Sequence, residues 1–129
     1  MAGPFISLGA LLAALGVAMG AFGAHALKTK IGVDMLAAFQ TGVQYHMVHA
    51  LGLVLLGLAS RWIGPSALVT WSGALMGIGV ILFSGSLYLL SITGVKAWGA
   101  VTPFGGTAFI VSWVLFAIAA WHTAPGSSH

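Results

Sequence analysis

Eight side chains could do chemistry in this sequence: His25, Gln44, Tyr45, His46, His49, Ser84, Ser86 and Tyr88. Neutral imidazole ligates copper, zinc, iron and nickel. His46 and His49 are three residues apart, about 60° on a helical wheel, close enough to share a ligand. His25, His46 and His49 are therefore the residues that would hold any metal or haem. The only carboxylate available to orient them is Asp34, where metal-bound histidines usually have such a partner. The competing role is structural. Histidine, serine and tyrosine side chains in lipid hydrogen-bond across helices and face the bundle interior. On that reading His25 caps the C-terminal end of the first helix, and His49 pairs with a neighbouring helix. The same donors would hold a quinone or a lipid headgroup. No cofactor is expected, with haem, copper and quinone as the alternatives.

Other chemistries are excluded or disfavoured by composition. The chain has one Asp/Glu and no Cys, so paired-carboxylate catalysis, disulfides and thiolate sites cannot be built within it. A Ser–His pair could be written on paper, but no G-x-S-x-G elbow is present. No enzyme activity is expected. There is no basic patch for nucleic acid, and no inverted repeat or broken helix that would point to a transporter.

These groups must be positioned by helices in lipid. Of 129 residues, 60% are hydrophobic and 4% charged, with a mean hydropathy of +1.09. Soluble domains are about 25% charged; four Lys/Arg and one Asp/Glu cannot cover a water-facing surface. The apolar runs predict an all-α, four-helix membrane bundle with short loops, one domain over residues 1–129. The spans are expected at about 4–25, 35–60, 66–92 and 103–122, each long enough for about 30 Å of hydrocarbon. The first run is read as a retained span rather than a cleaved signal, because it is long and no Lys or Arg precedes it. Gly16, Gly20 and Ala24, and Gly73 with Gly77, form small-x-x-x-small faces for helix packing. Gly105 and Gly106 allow close packing at the start of the fourth helix. Asp34 and Thr102 are expected as N-caps, with Pro103 at the first helical position; Arg61, Trp62, Lys96 and Trp98 are placed at the membrane surface. The tail TAPGSSH is expected to be frayed.

Within this frame the second helix is the centre. Thr41, Tyr45 and His49 recur at spacings of four, with Gln40 and Gln44 beside them, and are read as one polar stripe turned inward. His49 is expected to be neutral, because a charge at that depth is costly. Its partner is expected near Ser84 to Tyr88, or at His25. His46, on the flank, is expected to matter less.

Four stretches carry a resemblance: GAFGAHALK (20–28), TGVQYHMVHAL (41–51), LFSGSLYLL (82–90) and TPFGGTAF (102–109). With them in this order, the chain resembles the domain of unknown function 423 family, small bacterial inner-membrane proteins with a distant mitochondrial relative in animals. The resemblance covers nearly the whole chain. It implies a multi-span membrane protein without an assigned activity. His25, Gln44, Tyr45, His49, Ser84, Gly85, Tyr88, Pro103, Gly105 and Gly106 match the family pattern, and His46 is the less typical histidine. Basic residues often found in family members imply cytoplasmic termini, and that orientation is adopted. This chain's own count opposes it: Lys28, Lys30 and Lys96 lie in the first and third loops, against Arg61 in the second. The function expected is that of a structural or accessory subunit, packing in the bilayer with itself or a larger complex. The alternative is a binder or conduit for a small molecule on the His/Gln/Tyr stripe.

Overall fold

The structure, a computed structural model, describes residues 2–122. The TAPGSSH tail lies outside the described residues. Among the described residues, four helices are long and apolar enough to cross a membrane: Ala2–Leu27, Val33–Ile63, Ala67–Thr93 and Lys96–His122. They are called the first to fourth helices below. The second, at 31 residues, is about 46 Å long, more than the roughly 30 Å of hydrocarbon requires.

Local chemistry sets the boundaries. The second helix starts after Gly32, whose backbone is extended, and no side chain caps it. The expected cap at Asp34 is therefore corrected. Its exposed carboxylate sits in the first turn, where it still complements the helix dipole. Gly64, at φ 85°, ends the helix and returns its amide to the Ser60 carbonyl at 2.8 Å. Ser66 caps the third helix by accepting from the Leu68 amide. Gly94, in the left-handed region at φ 71°, closes it, as glycine commonly does at this position. The last helix opens with a 3-10 turn, Lys96–Ala100, before its α-helical part, Thr102–His122. Thr102 is not a cap as expected, because its hydroxyl is turned across to Ser86 at 2.6 Å.

Neighbouring helices run antiparallel. The first lies along the second, the third along the fourth, and the second joins the pairs by packing on the third. Glycines set the close approaches, although not all of those expected. On the first helix Gly9, Gly16 and Gly23 recur every seven residues and are buried. A Cβ on Gly9 would meet the Ala50 carbonyl oxygen at 2.6 Å, on Gly16 the Met47 side chain, and on Gly23 the Phe39 ring at 2.7 Å. Gly20 is displaced from this line, with only Val43 at 3.4 Å, and Ala24 is exposed. The face is a seven-residue repeat instead of the four-residue one expected, the period that keeps one helix against another. Gly73 packs against the Phe5 ring and Gly105 against the backbone of Phe83, whereas Gly77 and Gly106 have nothing closer than 3.8 Å.

The interior divides along its length. Around the second connection, Phe5, Leu53, Leu56, Ile63, Val69, Met76 and Ala119 make an apolar core. The other half carries most of the side-chain hydrogen bonds between helices, with the Ser72 to Ser112 bond set among the apolar residues. A π-helical turn at Val80–Ser84 interrupts the third helix at that junction, a feature frequent at functional sites.

Candidate functional site

The second helix turns its functional groups in different directions. His46 and His49 are 1% and 4% exposed, whereas Tyr45 is 42% exposed and Gln44 is on the surface. The single inward stripe is thus corrected. A spacing of four residues turns the helix by about 400°, so each step drifts about 40°. Thr41 ends outside, with its hydroxyl folded back to the Ala37 carbonyl at 3.0 Å. Tyr45 sits at the edge, and His49 is inside.

His46 is the centre of the polar half. Its Nε2 lies 2.7 Å from the Leu12 carbonyl oxygen on the first helix, and its Nδ1 lies 2.8 Å from the Tyr88 hydroxyl on the third. A carbonyl only accepts, so Nε2 carries the proton and donates. In the neutral ring Nδ1 then accepts from Tyr88. Leu12 is four residues before Gly16, and the missing side chain there opens the helix surface to the ring; His46 Cδ2 would lie 3.3 Å from a Cβ. Tyr88 packs on Phe39 at 5.0 Å between ring centroids and fills the space beside Gly42. Ser84 donates to the Gly42 carbonyl at 2.7 Å. Three hydrogen bonds therefore hold the second helix to its two neighbours within one turn of His46.

His49 faces the fourth helix. Its Nδ1 donates to the Tyr45 carbonyl at 2.7 Å, one turn back, and its Nε2 accepts from the Trp113 indole N–H at 2.9 Å. Its ring stacks on Phe109 at 3.4 Å and 8°. The expected partner around Ser84 to Tyr88, or at His25, is corrected to Trp113. Trp113 is the twelfth residue of the 21-residue Thr102–His122 segment. A tryptophan that deep, away from the interfacial belts where this residue is enriched, was the available signal. The Leu12 carbonyl had no side-chain signal at all.

The expected cluster is thus partly assembled. Ser86 bonds to Thr102 and to the Phe83 carbonyl, and Ser72 donates to the Ser112 carbonyl at 2.7 Å; both serines join the third and fourth helices. His25 is exposed in the π-helical turn Gly23–Leu27. Among the described residues, no three His, Cys, Asp or Glu side chains are grouped to hold a metal ion. All four ring nitrogens of His46 and His49 have partners, so a metal would have to displace one. Among the described residues every buried side-chain polar atom is hydrogen-bonded.

The surface is not satisfied in the same way. Neither the Gln44 amide nor the Tyr45 hydroxyl has a hydrogen-bond partner among the described residues. Both lie within about 6 Å, along the axis, of the middle of the second helix. Beside them a cleft of about 410 Å³ runs between the second and fourth helices, lined by Tyr45, His49, Phe83, Phe109, Ile110 and Trp113. The lining is aromatic, and Tyr45 supplies its free polar group.

Comparison with known proteins agrees with this architecture. A family model described as "Protein of unknown function (DUF423)" matches residues 19–106. The UPF0382 membrane protein YwdK of Bacillus subtilis is 51% identical over 116 residues, covering 90% of this chain and 94% of the relative. A UPF0382 membrane protein of Staphylococcus haemolyticus is 43% identical, with 88% and 92% covered. One of Staphylococcus aureus is 43% identical, with 93% and 97% covered. No solved structure matches.

Proposed function

Because this chain belongs to the DUF423 family of small membrane proteins, whose activity is unassigned, we propose its role from the geometry: a non-enzymatic accessory subunit. It assembles in the bilayer through the outer face of its second helix. One observation carries the reading: hydrogen-bonding capacity is used up inside the bundle and left over outside it. The histidines act as internal ties. Gln44 and Tyr45 project unpaired polar groups at a depth where water is absent and an unpaired group is costly. A neighbouring membrane protein that covers them removes that cost.

A second reading rests on the aromatic cleft. A lipid-soluble ring or chain, such as a quinone or a lipid, would fit about 410 Å³, within the usual size of ligand sites, and would meet the Tyr45 hydroxyl. Native mass spectrometry from lipid nanodiscs, with metal analysis of the same sample, separates the two. An assembly heavier than the 13.1 kDa chain and free of metal is expected. A monomer carrying a stoichiometric quinone, haem or metal would replace the accessory reading with the ligand one.

A further inference from the structure

We infer that the partner on this face is a second copy of the same chain, paired in parallel along the second helix with Gln44 opposite Gln44. The inference rests on the accessory reading and names its partner.

Thr41, Gln44, Val48, Leu51, Leu55 and Leu58 are all exposed. Their spacing is three, four, three, four, three, the alternation of a coiled-coil seam. Below Gln44 the seam is wholly branched-aliphatic, with Val48, Leu51, Leu55 and Leu58 each about half exposed. Above it are Thr41 and, one residue before, Gln40. The chain has two side-chain amides, Gln40 and Gln44, one helical turn apart on this helix.

Leucines alone would not choose a partner, because lipid is as apolar as they are. The amide is what selects. A glutamine is at once donor and acceptor, so it is complementary to itself. A two-fold axis along the membrane normal keeps both copies in one orientation and sets each seam residue against its own counterpart. Each Gln44 then donates one N–H to the carbonyl oxygen of its counterpart. A single polar position in a seam also fixes register. An inverted neighbour would set Gln44 against leucine and leave both amides unpaired.

The absence of cysteine makes the test direct. Single Val48→Cys, Leu51→Cys and Leu55→Cys variants are oxidised in native membranes, with Leu15→Cys and Ile110→Cys, exposed on the first and fourth helices, as controls. Disulfide-linked dimers at the seam positions and not at the controls are expected. In liposomes, Gln44→Leu should weaken dimer association about 3- to 20-fold, as measured by energy transfer between labelled copies, and Gln44→Asn should retain part of it. Cross-linking as strong at the controls, or only between Thr41→Cys and Leu55→Cys chains mixed together, would overturn the parallel seam. Gln44-dependent assembly with a different protein and no self-linking would overturn the self-pairing but keep the accessory reading. A lone 13.1 kDa chain under every condition would remove both.

Discussion

The imidazole of His46 and the hydroxyl of Tyr88 meet at 2.8 Å across the interface of the second and third helices. The opposite nitrogen of the same ring reaches the first helix through the Leu12 carbonyl at 2.7 Å. One side chain therefore ties three helices. His49, three residues on, ties only the second helix to the fourth, because its other bond stays within its own helix.

This difference predicts the order of two substitutions. His46→Phe loses two bonds between helices and leaves the half-buried Tyr88 hydroxyl without its partner. His49→Phe loses one and leaves the Trp113 N–H. Hydrogen bonds between membrane helices contribute about 0.6–1.7 kcal/mol each. His46→Phe should therefore destabilise by about 1–3 kcal/mol and His49→Phe by about half as much. Reversible unfolding in mixed micelles measures both; equal losses, or a larger loss at His49, would contradict the assignment.

Glycine substitutions should separate by what the new methyl meets. At Gly9 it would meet the Ala50 carbonyl oxygen and the Val54 amide, and at Gly105 the Phe83 backbone. Backbone atoms in a helix cannot step aside, so Gly9→Ala and Gly105→Ala should each cost about 1–3 kcal/mol. At Gly20 the neighbour is one methyl of Val43 at 3.4 Å, ordinary contact, and Gly20→Ala should be near neutral. Thermal melts of the three variants in one detergent decide it; a Gly20→Ala loss matching the others would mean the seven-residue face is misplaced.

These contrasts show what the sequence could and could not convey. Four spans were legible because apolar runs of that length have few other uses. The positions of Arg61 and Lys96 at helix ends followed from their charge. Helix rotation was not legible in the same way. Tyr45 and His49 share a wheel sector, yet the 40° drift between them crosses the boundary from surface to interior. His46 looked peripheral relative to Thr41, Tyr45 and His49, but that line itself runs along the edge of the buried face. Its acceptor is a backbone carbonyl, which every residue has and no motif marks. Trp113 was overlooked because an indole reads as apolar until a neighbour needs its one N–H.

The two buried histidines should hold opposite tautomers. His46 donates from Nε2 to Leu12, and His49 donates from Nδ1 to Tyr45. In each case the partner is a carbonyl, which cannot give a proton back. Nitrogen-15 spectra of histidine-labelled protein in lipid should show one neutral ring of each kind, assigned by His46→Phe and His49→Phe. Two rings of the same tautomer would contradict at least one of the hydrogen bonds.

Trp113→Phe isolates the indole N–H from the ring that carries it. The aromatic contacts to Phe116 and His49 are largely kept, and what disappears is the sole donor to His49 Nε2. That nitrogen lies on the wall of the cleft between the second and fourth helices, so it becomes a free acceptor at the site. Two consequences are expected. Stability should fall by about 0.6–1.7 kcal/mol, the range for one hydrogen bond between membrane helices. In addition, His49 should become open to a lipid-soluble histidine reagent such as diethyl pyrocarbonate, read by peptide mass mapping. In the unsubstituted chain it should be protected, because the reagent needs an unoccupied nitrogen lone pair and Trp113 holds the one at Nε2. His46 should stay protected in both, since Tyr88 and Leu12 still cover its two nitrogens. If His49 reacts equally with and without the indole N–H, Trp113 does not guard it, and the cleft is open to chemistry that this geometry forbids.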